Sequence, residues 1–317
     1  MARTSSTVQG IIFSLIAGSA WGLAFLIPNM LASFTSLDIT IGRYFMYGLY
    51  SIILFMIARQ NPFKISKKVW LQALIYAFAG NVGYFFFLVL AIKYAGATVT
   101  TLVLGTIPIV ISIVGNFIYK EFPLKIMLIP AASILIGVTL LSYGELDMQA
   151  FEVSGNDFLL GFACALIALG MWTGYGISNG RFLRENSDVS ADLFSTIIGI
   201  QTLTLVIIVI IVNSIFQEPI WVRIWANEEF LIFIIGVSVL GIFASWVATW
   251  AWNHASARLS VSLSGMLLSF ETIFGLLYAF IYYQAFPTMT EGFSIVLILI
   301  GVLFGIWRIY HYKFTLK

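Results

Sequence analysis

Ten apolar stretches, each long enough at about 20 residues to cross a bilayer and joined by short connections, leave this chain little freedom in its fold. They cover approximately 10–32, 37–58, 70–91, 95–118, 126–143, 158–180, 192–216, 230–252, 259–284 and 291–308. Hydrocarbon offers a backbone no hydrogen-bond partner, so each stretch must satisfy its own amides and carbonyls as a helix. Composition agrees: 61% of the 317 residues are hydrophobic and 9% charged, against about 25% charged in a water-soluble domain. The expected fold class is an all-α membrane protein of ten transmembrane helices with no soluble domain. The first 30 residues carry only Arg3 and no small-residue cleavage site before a mature domain, which predicts an uncleaved first helix rather than a signal peptide.

One of these stretches holds a charge where none is cheap. Between Leu259 and Ala285 the chain is long enough to span the membrane, yet Glu271 sits near the middle. A charge at the bilayer centre costs roughly 2.5–3.5 kcal/mol on insertion scales, so such residues face a bundle interior or a water-filled cavity. Glu271 reads as a proton-coupling carboxylate or as the counter-charge of a substrate amine. The plainer reading is a protonated glutamate hydrogen-bonded to a neighbouring helix.

Lysines and arginines set the orientation. With a cytoplasmic N-terminus, thirteen fall inside (Arg3, Arg59, Lys64, Lys67, Lys68, Lys120, Lys125, Arg181, Arg184, Arg258, Arg308, Lys313, Lys317) and two outside (Lys93, Arg223). Asp38, Glu145, Asp147, Glu152, Asp157, Glu218, Glu228, Glu229 and Glu291 fall outside. An even number of spans places both termini in the cytoplasm. The halves also echo one another. LIAGSAWG at Leu15–Gly22 parallels LIALGMWTG at Leu166–Gly174, aligning Trp21 with Trp172, and YAGATVTT parallels HASARLSV, each followed by a Phe-Pro pair. Five spans in each half make the repeats, 1–150 and 151–317, inverted relative to each other. That is an architecture of transporters that bind at the midplane.

These residues resemble the drug/metabolite transporter superfamily with its EamA-type repeat. The resemblance covers essentially the whole chain: Trp21-Gly22, Arg43 early in the second helix, the run from Tyr84 through Ala91 to Pro108, and the Lys120-Glu121 that closes the fourth helix. SGMLLSFETIFGLLYAF with Pro287 and Glu291 is most similar to the branch containing aromatic-amino-acid exporters. Glu271-Thr272 stand where many members have Glu-Pro, and Gln284-Ala285 where the second repeat often closes with glutamate. The resemblance implies a multi-pass protein of the bacterial inner (plasma) membrane.

The expected substrate-binding residues are Trp21, Asn81, Tyr84, Trp172, Tyr175, Trp246 and Glu271, with Trp250 a further aromatic at hand. Aromatic faces suit an amino-acid side chain or, through cation–π attraction, an ammonium group, although membrane aromatics also simply pack. Asn81 either meets substrate or bridges helices. Pro108, near the centre of the fourth helix, lacks an amide and kinks its helix, and is the expected conformational hinge. Arg43 either pairs with Asp38 or meets a substrate carboxylate, pairing being the default. Gly18/Gly22, Gly170/Gly174 and Gly301/Gly305 are expected to pack helices closely.

No nucleotide-binding loop is present, so transport would draw on an ion gradient or on the substrate's own. The function expected is a secondary transporter exporting a small polar metabolite, an amino acid or related amine, by alternating access. Uptake of a small cation such as a quaternary amine is the alternative within that class. An intramembrane enzyme would need clustered nucleophiles, acids or metal ligands. The single Cys164 excludes an internal disulfide, and two histidines near the inner surface leave little for a metal site. The chain is expected not to be an enzyme and to use no metal or cofactor. Its expected partners are the small-molecule substrate, the lipid bilayer and protons as candidate coupling ion, with a homo-oligomer admissible and no nucleic acid.

Overall fold

Nine helices are long and apolar enough to cross a bilayer, and no strand is present, among the residues described in a computed structural model of the chain, 2–144, 156–216 and 218–315. Glu145, Asp147, Glu152, Lys317 and the expected boundary at 150 lie outside the described residues, as do the side chains of Arg3 and Lys313. The longest helix, Lys67–Leu104 at 38 residues, is two spans in one. Gly96 breaks it with φ at 83° and ψ at 160°, a backbone conformation that glycine reaches without the steric penalty of a side chain. With that helix divided at Gly96, the described residues hold ten candidate spans. The spans are α1 (Ala2–Met30), α2 (Ser36–Ile57), α3 (67–95), α4 (97–119), α5 (Leu124–Gly144), α6 (Asn156–Glu185), α7 (Ala191–Phe216), α8 (Phe230–Arg258), α9 (Val261–Tyr283) and α10 (Met289–Thr315).

Four of these helices are irregular at mid-height. α3 passes through a π-helical turn at Phe78–Val82, and α8 through another at Ile242–Val247. α4 is interrupted at Gly105 and Thr106, and α9 at Ser269, which separates Val261–Leu268 from Phe270–Tyr283. Pro108 consequently does not kink the middle of a continuous helix. It lies in the first turn of Ile107–Tyr119, where its missing amide has no intrahelical partner to lose, and the break falls just before it.

Local chemistry explains the ends. Thr35 and Asp38 form a reciprocal capping box that starts α2, each satisfying an amide the helix leaves unpaired. Lys120 and Gln284 close α4 and α9 in the left-handed conformation, at φ of 50° and 51°. After Lys120 the chain turns onto Asn116, whose side chain donates to Phe122 O at 2.9 Å and accepts from Phe122 N at 2.8 Å.

α1 packs against α8 and α9, and α6 against α3 and α4; α2 lies on α7, α5 on α10, and the lower half of α4 on that of α9. Lipid tails give helices no hydrophobic reason to associate, so close backbone approach and dispersion must hold them. Gly22 provides such an approach: a Cβ there would come within 2.9 Å of Gly275 N and Phe274 Cβ. Gly301 and Gly305 seat α10 on Pro130, Ile134 and Met266 in the same way. Gly170 and Gly174 depart from the packing expectation, with nothing within 4 Å of an added Cβ. Each is two residues from Trp172, which puts both on the opposite face of α6, at 100° per residue, and at these two positions that face meets no neighbour among the described residues.

Burial is lopsided along the bundle. All of Val261–Leu268 is buried, whereas only Gly275 is buried in Phe270–Tyr283. The tightly closed half is the one bordered by Lys120, Arg184 and Arg258; the looser half ends near Asp38, Glu218 and Glu291.

Candidate functional site

Three tryptophans from three helices meet in the core. Trp21 of α1 stands edge-on to Trp172 of α6 at 5.7 Å between ring centroids, and Trp252 of α8 lies 5.7 Å from Trp21 and 6.0 Å from Trp172. Tyr175, one turn along α6, completes the wall at 5.7 Å from Trp172. Trp252 is fully buried, and neither its indole N–H nor the buried Thr173 hydroxyl next to Trp172 in sequence has a hydrogen-bond partner among the described residues. Trp246 and Trp250 go elsewhere. They stack on each other along the α7 side of α8, their indole N–H groups donating to Thr196 and Asp192.

Glu271 lies two residues past the interruption of α9, with its backbone amide against Gly18 of α1. Its carboxylate makes no hydrogen bond or ion pair with any described residue. The bridging glutamate of the plainer reading is thus not what the structure has. Tyr84 of α3 packs against the core cluster that holds Trp172, Tyr175 and Trp252.

Arg43 does not pair with Asp38, because Asp38 is taken by Arg223 at 2.6 Å and by the Thr35 cap. Arg43 instead turns inward to the π-helical turn of α8. Its Nε donates to Ser245 Oγ at 2.8 Å and its Nη2 to Ala244 O at 2.7 Å, leaving Nη1 over. A π turn shifts the backbone bonding pattern and exposes carbonyls to outside donors, which explains why Ala244 can accept. The other π turn does similar work, since Asn81 within it donates to Thr202 Oγ1 of α7 at 3.0 Å. Asn81 therefore bridges helices.

Residues 8–143 match the family model described as the EamA-like transporter family. Over 306 residues, 94% of this chain and 95% of the relative, the sequence is 30% identical to the inner membrane protein YtfF of Escherichia coli (strain K12). The chain belongs to the EamA-like transporter family. It is also 24% identical over 254 residues, 76% of each chain, to the uncharacterized transporter YyaM of Bacillus subtilis (strain 168). A crystal structure at 19% identity shares the fold, with a TM-score of 0.76 over 98% of this chain and 99% of the other. This EamA-like protein is a multi-pass membrane transporter.

The closed half of the transporter is sealed by polar contacts that sequence reading did not anticipate. Asn179 Nδ2 reaches Asn253 Oδ1 at 2.7 Å and Ser256 Oγ at 3.0 Å; Asn253 Nδ2 reaches Ser195 Oγ at 2.7 Å; Arg184 holds Ser256 O at 2.7 Å. Across the bundle, Glu121 accepts from Val261 N, Ser262 N and Ser262 Oγ at the start of α9, and Ser112 donates to Ser262 O. A visible signal existed for Trp252: Ala244, Ala248, Ala251 and Ala255 recur at helical spacing and mark the packed face of α8, on which Trp252 falls and Trp246 does not.

Proposed function

We propose that this transporter exports a small polar metabolite, an amino acid or a related amine, across the bacterial inner (plasma) membrane by alternating access. Glu271 meets the substrate ammonium or a coupling proton. The observation that carries this reading is a Glu271 carboxylate with no hydrogen bond or ion pair among the described residues, on the α9 segment that packs on Gly18, with Trp21 one turn along α1 and edge-on to Trp172. A carboxylate in such a place without a fixed partner costs several kcal/mol unless a proton or cation joins it. Tryptophan faces supply further attraction for an ammonium group or an aromatic side chain, so aromatic amino acids are the first substrates to try.

The two inverted repeats, 1–150 and 151–317, are supported by paired irregularities: a π turn in α3 and α8, an interruption in α4 and α9, a left-handed end at Lys120 and Gln284. Pro108 is the hinge of this scheme, at the first turn after the α4 interruption. The lysine- and arginine-rich closed end is cytoplasmic, by the positive-inside rule, and the protein rests open to the outside.

The test is flux of a labelled panel of amino acids and amines in proteoliposomes, with and without an imposed pH gradient, comparing the natural protein with Glu271→Gln. Saturable movement of one class that falls at least about tenfold in the variant, the loss of a charged hydrogen-bond partner, supports the reading. Undiminished flux and affinity in a folded Glu271→Gln protein would remove Glu271 from the mechanism.

A further inference from the structure

We propose that His254 is a proton-binding site that unlocks the closed, basic end of the bundle: a proton taken up at Nδ1 displaces Arg258 and frees the junction between α8 and α9. The proposal rests on that end being a gate of the alternating-access reading above, and it needs no particular substrate. Two neighbours fix the state of the ring. Arg258 Nη1 stands 3.0 Å from Nδ1, and Asp192 Oδ1 of α7 stands 3.0 Å from Nε2. A guanidinium has only N–H groups to offer, so Nδ1 must be the acceptor and carry no proton. The single ring proton is then on Nε2 and is donated to Asp192. The imidazole held in this way is neutral, and an arginine occupies its one vacant proton site.

Phe13 of α1 stacks on the ring at 4.7 Å between centroids and 19° between planes, and Trp250 stands edge-on at 5.1 Å. Charged groups meet the ring from two elements, Asp192 on α7 and Arg258 on α8 itself. From the other helices packed here, α1 presents the uncharged Phe13, and α6 sends Arg184 to Ser256 O, two residues along α8. The site opens to the surface at Asp192, whose side chain is 64% exposed against 16% for His254. A proton arriving there makes the ring an imidazolium with N–H on both nitrogens. Nε2–H keeps Asp192, now as an ion pair. Nδ1–H faces the N–H of Arg258, donor against donor and charge against charge, and that contact breaks.

Arg258 is what straps the end of α8 down. Its guanidinium lies over Phe13 at 5.2 Å, and Nη1 also donates to His254 O at 2.8 Å. The next residue, Leu259, presses on α1 so closely that a Cβ on Gly10 would stand 2.6 Å from its Cγ. Two residues further, Val261 begins α9 with its amide donated to Glu121 at 2.8 Å. Releasing Arg258 therefore loosens the short connection that holds α9 shut. The open form, with Nδ1 free, takes up the proton better than the closed form, in which Arg258 stands in its place, so acid favours opening.

The test uses the full chain purified in detergent, with Cys164→Ala removing the native thiol and one cysteine placed at Val261, a buried residue packed on Gly115 of α4. Labelling by a maleimide is followed from about pH 8 to about pH 5.5, across the range in which histidine changes charge. Each rate is divided by that of Lys67→Cys, an exposed position, which removes the reagent's own pH dependence. The relative rate should rise at least about tenfold on acidification, the loss of one charge-assisted hydrogen bond. His254→Gln, which has no second proton to take, should stay slow throughout. Arg258→Met, which keeps the stem over Phe13 but not the donor, should be fast throughout. The two variants depart in opposite directions, so a folding defect cannot imitate the pair. Absence of the rise with His254 and Arg258 both in place overturns the proposal and needs neither variant to fold. A rise that survives intact in His254→Gln also overturns it, because the proton then acts elsewhere, as on Glu121. Neither result touches the export reading, which is judged by flux.

Discussion

Glu121 closes α4 onto Ser262 at the first turn of α9, accepting the Ser262 amide at 2.9 Å and its hydroxyl at 2.5 Å. The first turn of a helix exposes amides without intrahelical partners, and a carboxylate there is favoured by the helix dipole as well. Replacing Glu121 with alanine should lower stability by about 1–2 kcal/mol, the usual cost of losing such a cap. Glu121→Gln, which keeps an acceptor oxygen but no charge, should cost less. Thermal unfolding of the purified variants in detergent checks the order; equal melting temperatures for the natural and alanine proteins would show that the clasp contributes nothing.

The opposite end has no such clasp among the described residues. Gln284 turns back on its own helix, donating to Ile281 O at 2.7 Å, and Ala285 has no acceptor side chain. That difference accounts for a bundle closed on one side and loose on the other. Introducing glutamate at Ala285 should bias the protein toward closing that side and slow flux, with little loss of melting temperature. Unaltered turnover of a folded Ala285→Glu protein in the proteoliposome assay would argue against the two ends being paired gates.

How much of this was legible beforehand follows from what each feature depends on. The spans depend on unbroken apolar runs, and the sequence displays these directly; even the division between α3 and α4 falls near Gly96, where the runs suggested it. The pairing of Trp21 with Trp172 followed from matching the two halves. Arg43 was read less well, because the competitor for Asp38 is Arg223, distant in sequence, and because a π turn in α8 leaves no simple mark in composition. Gly170 and Gly174 look like Gly18 and Gly22 on paper. In a helix apolar all round, nothing local says which face meets a neighbour and which meets lipid.

Those two glycine pairs should respond differently to the same change. Gly22→Val forces a side chain into Gly275 and Phe274 and should cost about 1–3 kcal/mol, as overpacking does. Gly174→Val enters open space and should alter monomer stability by no more than about 0.5 kcal/mol. Melting temperature in detergent reads both, and light scattering on the second variant reports whether the exposed face of α6 joins copies of the chain. Equal destabilisation by the two substitutions would contradict the packing described for α1 and α9.

Asn81 and Thr202 should behave as a coupled structural pair. In membrane interiors a side-chain hydrogen bond between helices contributes about 0.6 kcal/mol on average, so Asn81→Ala and Thr202→Val should be non-additive by roughly that amount in a double-mutant cycle of unfolding free energies. Flux per folded molecule should change little in either single variant. Strictly additive stabilities together with a large loss of substrate affinity in Asn81→Ala alone would make Asn81 a ligand of the substrate instead.

Orientation is open to a direct check, and it decides which side the clasped end faces. Lys67 begins α3 at the basic end and Glu228 lies just before α8 at the other; both are exposed. The single native cysteine, Cys164, is buried, so background labelling should be low. In intact cells, cysteine at Glu228 should react with a membrane-impermeant maleimide and cysteine at Lys67 should react only after the membrane is opened. That labelling, which the positive-inside rule leads one to expect, would make the Glu121 clasp a cytoplasmic gate and the loose half an extracytoplasmic mouth. Reversed labelling would turn the bundle over, put the clasp outside, and convert the proposed resting state from outward-open to inward-open, with uptake then the simpler direction to test.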